Sequence, residues 1–138
     1  MPRKTYHGSC HCGNVRYAAA VDLSLGTAKC NCSICMKMRI WHVIFKAKHF
    51  SLLSNPELMG EYQWLPAGRE KSRMHYFFCK TCGVPLFAWG DFPDGRYYAI
   101  QVTTLDDVDA DELAAAPGKY EDGRHDRFDR VPTDIRLL

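Results

Sequence analysis

The sequence predicts a mainly β protein, and three observations carry that expectation. Val15, Tyr17, Ala19 and Val21 recur at period two. Short runs rich in β-branched and aromatic residues are spaced along the chain, separated by Pro, Gly, Asn and Asp. Only one stretch carries helix signals at both ends.

The first strand follows from the alternation over residues 15–21, which buries one face. Residues 40–45 (Ile-Trp-His-Val-Ile-Phe) form a short apolar run without clean alternation, so a strand buried on both faces is expected. Residues 50–53 and 59–64 predict two more strands, with Ser54-Asn55-Pro56 turning between them. Residues 65–70 read as a loop, and the strand over 73–78 runs directly into Cys79. Residues 84–89 and 96–102 predict a hairpin around the turn-rich 90–95. Pro85 points to an edge position there, because proline cannot donate to a ladder. One short helix is expected near the C-terminus: Asp109 caps it, Glu112 follows three residues later, and Pro117-Gly118 stops it. Residues 119–130 are dense in both charge signs and read as a solvated surface. No repeat, linker or low-complexity segment divides the chain, so a single domain over 1–138 is expected.

Composition narrows the function classes. Hydrophobic residues make up 46% of the 138 and charged residues 25%, ordinary values for a globular domain. The formal charge of +2 is too small to predict phosphate or nucleic-acid binding. The N-terminal residues have no apolar core of the signal-peptide kind, and no run approaches the roughly 20 apolar residues that span a bilayer. A cytoplasmic, reducing location is the resulting expectation, with no membrane partner. Clustered cysteines there are more often metal ligands or catalytic groups than disulfides.

All seven cysteines fall in three clusters: Cys10 and Cys12; Cys30, Cys32 and Cys35; Cys79 and Cys82. Cys79-Lys80-Thr81-Cys82-Gly83 has the spacing of a zinc knuckle, in which a glycine lets backbone N–H groups approach the thiolates. Cys10 and Cys12 are one residue apart, so both can face one ion only at a bend, which Gly8 and Gly13 allow. A closed tetrahedral site takes four sulfurs, so seven divide into a set of four and an open set of three. Spacing leaves the membership open. Cys10 and Cys12 can join Cys79 and Cys82, or Cys32 and Cys35 can join them in a ribbon-like site.

The runs Gly8-Ser9-Cys10-His11-Cys12-Gly13, Cys30-Asn31-Cys32-Ser33-Ile34-Cys35-Met36-Lys37 and Phe78-Cys79-Lys80-Thr81-Cys82-Gly83-Val84-Pro85-Leu86-Phe87 resemble the glutathione-dependent formaldehyde-activating enzyme family, which includes centromere protein V. Thr104-Leu105-Asp106-Asp107 resembles that family's following segment. The resemblance covers about residues 6–110 and leaves 111–138 as a C-terminal extension. It implies a zinc-binding β domain of the Mss-four-like type, with several short antiparallel sheets. It implies two zinc ions per chain: a structural one on Cys10, Cys12, Cys79 and Cys82, and a catalytic one on Cys30, Cys32 and Cys35. The implied reaction is that of a carbon–sulfur lyase, the reversible addition of glutathione to formaldehyde giving S-(hydroxymethyl)glutathione. A small thiol and a small aldehyde are then the expected partners. The alternative is a non-catalytic, zinc-stabilised protein-binding module of the same fold.

Around the triplet, His42 and His49 are the nearest histidines, each a candidate proton carrier or fourth ligand and each also a plausible strand histidine. Lys37, Arg39, Lys46 and Lys48 form a basic cluster able to meet carboxylates or simply to face solvent. Met38, Arg39, Ile40, Trp41 and His42 put bulk where family members often carry small residues, which bears on the shape of any pocket above the triplet.

Overall fold

The computed structural model describes residues 3–65 and 74–138. Its strands are β1 (Lys4–Ser9), β2 (Arg16–Val21), β3 (Thr27–Cys30), β4 (His42–Lys46), β5 (Phe50–Leu52), β6 (Met59–Trp64), β7 (Met74–Cys79), β8 (Pro85–Phe92), β9 (Gly95–Gln101) and β10 (Gly118–Glu121). Two short helices accompany them, α1 (Ser33–Met38) and α2 (Ala110–Ala115). The strands form a three-stranded sheet in the order β1-β2-β5 and a seven-stranded sheet in the order β10-β3-β4-β9-β8-β7-β6. Pairing is antiparallel throughout except for β10, which runs parallel to β3 and sets Glu121 beside Cys30. The fold is therefore mainly β, as the period-two pattern predicts. Of the loop expected over 65–70, all but Leu65 lies outside the described residues. No helix among the described residues is long and apolar enough to cross a membrane.

The main core fills the space between the sheets. Tyr6, Tyr17, Ala19 and Val21 from the small sheet pack with Val43, Phe45, Leu86 and Ile100 from the large one. Each large apolar side chain buried there contributes roughly 1.5–3 kcal/mol. Tyr17 is fully buried, and its hydroxyl is paired with Thr104 Oγ1 at 2.7 Å, so the ring's polar end is satisfied inside the core.

The second face of the large sheet carries a smaller cluster: Tyr76 of β7, Ala88 of β8 and Ile34 of α1. This arrangement corrects the expectation for residues 40–45. In β4, Val43 and Phe45 are buried but Ile44 is 54% exposed. One face of that strand meets the core, while the other lines an open cavity.

Three further expectations change. Pro85 begins an interior strand, β8, between β7 and β9. It is tolerated because it stands at the strand's first position, beside a register shift between Phe77 and Phe78. Helix α1 joins the single helix expected; α2 is capped by Asp109, whose side chain accepts from the Asp111 N–H. Glu112 does not close a capping box but meets the Tyr6 hydroxyl and Lys4. Finally, residues 119–130 are not merely a solvated surface. They begin in β10 and continue over Asp122, which is 2% exposed.

Candidate active site

The seven sulfurs gather into two groups, each with its atoms within 4.8 Å of one another: Cys10, Cys12, Cys79 and Cys82, and separately Cys30, Cys32 and Cys35. The ribbon-like alternative, which joins Cys32 and Cys35 to Cys79 and Cys82, does not form. All seven thiols are free.

The group of four is built from two similar turns. After β1, the Cys10 N–H donates to the Val15 carbonyl at 3.1 Å, and Gly13 (φ 82°) turns the chain. Between β7 and β8, the Cys79 N–H donates to the Val84 carbonyl at 3.1 Å, and Gly83 (φ 77°) plays the same part. Positive φ is readily adopted only by glycine. The turns aim N–H groups at sulfur: Val15 toward Cys10 at 3.3 Å, and Thr81 and Cys82 toward Cys79 at 3.3 and 3.4 Å. N–H donation from Val84 and Cys12 brings the Cys82 thiol down to about 6. Cys10–Cys12 and Cys12–Cys79 sulfur separations are both 3.6 Å. A tetrahedral ion with bonds of about 2.3 Å needs sulfurs roughly 3.8 Å apart. An all-sulfur set at this spacing fits zinc.

The group of three lies where β3 passes into α1. Cys30 ends β3, Cys32 is the residue preceding α1, and Cys35 lies within the helix. Cys30 is buried, whereas Cys32 and Cys35 are partly exposed. The Cys32 N–H donates to the Cys30 sulfur at 3.4 Å. Hydrogen bonds with Cys30 and Cys35 hold the Cys32 thiol down at about 3, while those with Cys30 and Cys32, together with burial, push Cys35 far up.

These three sulfurs line a cavity of about 730 Å³, which none of the other four reaches. Its walls are largely apolar, with Ile44, Trp64, Met74, Tyr76 and Phe128 among them. Met38 and Ile40 also contribute, so the bulk after the triplet shapes the cavity without filling it. Polar groups enter from β4, β9 and the C-terminal segment: His42, Gln101, Glu121 and Arg124. His42 Nε2 lies 3.6 Å from Glu121 Oε1, both side chains being mostly buried.

His49 does not reach the cavity, and neither do Lys37, Arg39, Lys46 or Lys48. Arg39 instead donates to the Leu137 carbonyl, and Lys46 lies 3.8 Å from Asp94.

The C-terminal segment is the part that sequence reasoning missed. Asn31, between two of the three cysteines, donates to Asp122 Oδ1 at 2.9 Å and accepts from the Arg124 N–H at 2.9 Å. Asp122 also binds His125 Nδ1 at 2.8 Å and Arg130 Nε at 2.9 Å. The Asn31 amide, then His125 and Arg130, hold its carboxyl well below the usual range. In sequence the only trace of this network is the mixed charge of 119–130.

The glutathione-dependent formaldehyde-activating enzyme family matches the chain over residues 5–121. The chain belongs to this family. The match includes all seven cysteines of this family member and reaches Glu121, so it takes in β10. A crystal structure of a Rhodobacter sphaeroides protein shares the fold, with a TM-score of 0.64 and 22% identity over 82% of this chain and 99% of that one.

Proposed function

We propose that this family member forms and cleaves the carbon–sulfur bond between a thiol of the glutathione type and formaldehyde or a related small aldehyde. The supporting observation is that Cys30, Cys32 and Cys35 converge at the wall of a cavity while the other four sulfurs converge outside it. In this reading Cys10, Cys12, Cys79 and Cys82 hold a structural zinc, and the triplet holds a second, incompletely ligated one. A zinc ion on the triplet would supply Lewis acidity that lowers the pKa of an incoming thiol toward neutral pH.

The chain's residues do the rest. Tyr76, Leu86 and Ala88, all buried, present a largely apolar floor to the reacting groups. Confinement brings sulfur and carbonyl carbon together. In the forward direction the sulfur–carbon bond forms, the carbonyl π bond opens, and the thiol's proton ends on the new hydroxyl oxygen. No oxidant or reductant is consumed. His42, set against Glu121 on the same wall, is the imidazole available to carry that proton.

Exchange NMR on glutathione and formaldehyde tests this. Zinc-loaded protein is expected to accelerate formation of S-(hydroxymethyl)glutathione, and the folded Cys35→Ser variant is expected to lose the acceleration. An exchange rate equal to that in buffer would reject the reading.

A further inference from the structure

We infer that Arg124 is the specificity-determining residue of the cavity: its guanidinium takes a carboxylate carried by the thiol substrate, a few bonds from the sulfur. This assignment rests on the function proposed above and narrows it to anionic thiols.

Three observations carry it. Arg124 lines the same cavity as the three sulfurs and is itself exposed to solvent. Its backbone is fixed to the triplet, since its N–H donates to Asn31 Oδ1 at 2.9 Å and the preceding Gly123 packs on Cys30. Its Cα is thereby held beside the triplet, with the guanidinium left free to reach along the cavity wall.

The third observation is its lack of a carboxylate partner among the described residues. Other arginines of the C-terminal segment are paired: Arg127 with Asp129 at 3.0 Å, Arg130 with Asp122 at 2.8 Å, and Arg136 with Asp134 at 2.8 Å. Of the acids that share the cavity wall, Glu121 is engaged by His42 at 3.6 Å and Lys119 at 3.5 Å. Asp126 also has a partner of its own. The Arg124 fork therefore remains available to an incoming anion, and a guanidinium meets a carboxylate best in a bidentate fashion.

The ligand this selects carries its thiol and a carboxylate on one short chain. Glutathione satisfies that description; cysteamine, a thiol with no carboxylate, does not.

Calorimetric titration of the zinc-loaded protein with glutathione and with cysteamine tests the assignment, using wild type, Arg124→Gln and Arg124→Lys. The ratio of glutathione to cysteamine affinity is expected to fall roughly tenfold in Arg124→Gln, as for loss of one charge-assisted pair. Arg124→Lys should recover part of it. An unchanged ratio in Arg124→Gln, with both thiols still bound, overturns the assignment and leaves the proposed chemistry standing. Failure of the wild type to bind either thiol overturns both.

Discussion

Gly123 is packed against the Cys30 sulfur so closely that a Cβ at position 123 would come within 2.4 Å of it, and within 3.3 Å of the Cys32 Cβ. The C-terminal segment thus touches the thiol triplet directly, and no side chain can be added at the contact without moving one or the other.

Gly123→Ala is therefore expected to weaken metal binding by the triplet about 10- to 100-fold, the usual range for disturbing a ligand's supporting contacts. The group of four should keep its affinity. Competition titrations with a chelating dye will resolve the two sites; two wild-type affinities would show that the contact yields without consequence.

The Asn31–Asp122 link gives a pH-dependent prediction. Asp122's carboxyl is held below its ordinary value of about 4 by Asn31, His125 and Arg130. Protonating it thus costs more in the folded chain than in the unfolded one. Its stabilising contribution is complete above about pH 4 and declines as the pH falls toward the lower folded-state value. Melting temperatures of wild type and Asp122→Asn, followed from pH 7 down to pH 2, should differ most at the neutral end and converge in acid. A constant difference across the range would contradict this.

In the main core, Tyr17→Phe removes the hydroxyl paired with Thr104 at 2.7 Å and leaves the Thr104 oxygen with one partner fewer. A loss of about 1 kcal/mol is expected in urea unfolding. Combining it with Thr104→Val should cost less than the sum of the two single changes, because the pair is lost only once.

Much of the fold was legible because strands write their burial into alternate residues: Tyr17, Ala19 and Val21 of β2 point inward as expected. Ligand chemistry made the cysteine clusters legible, although spacing alone did not say which pairs would meet. Helix α1 was not legible. It has only six residues, Cys32 gives it no side-chain cap, and it ends in a left-handed Arg39 (φ 54°) where a glycine would have signalled the stop. The C-terminal part of the cavity's lining was also hidden, for a different reason. Asn31 and Asp122 are 91 residues apart and meet because β10 lies parallel to β3, a pairing that no local pattern encodes. Residues 119–130 show only mixed charge in sequence, and mixed charge is equally the mark of a solvated surface.

The unequal division of the sulfurs is tested most directly by counting metal. Elemental analysis of the wild type should give two zinc ions per chain. Cys30→Ser should retain one in a folded protein. Cys79→Ser should lose the fold, since a structural zinc site contributes on the order of 10 kcal/mol. A single zinc in the wild type, retained in full by Cys30→Ser, would contradict the account.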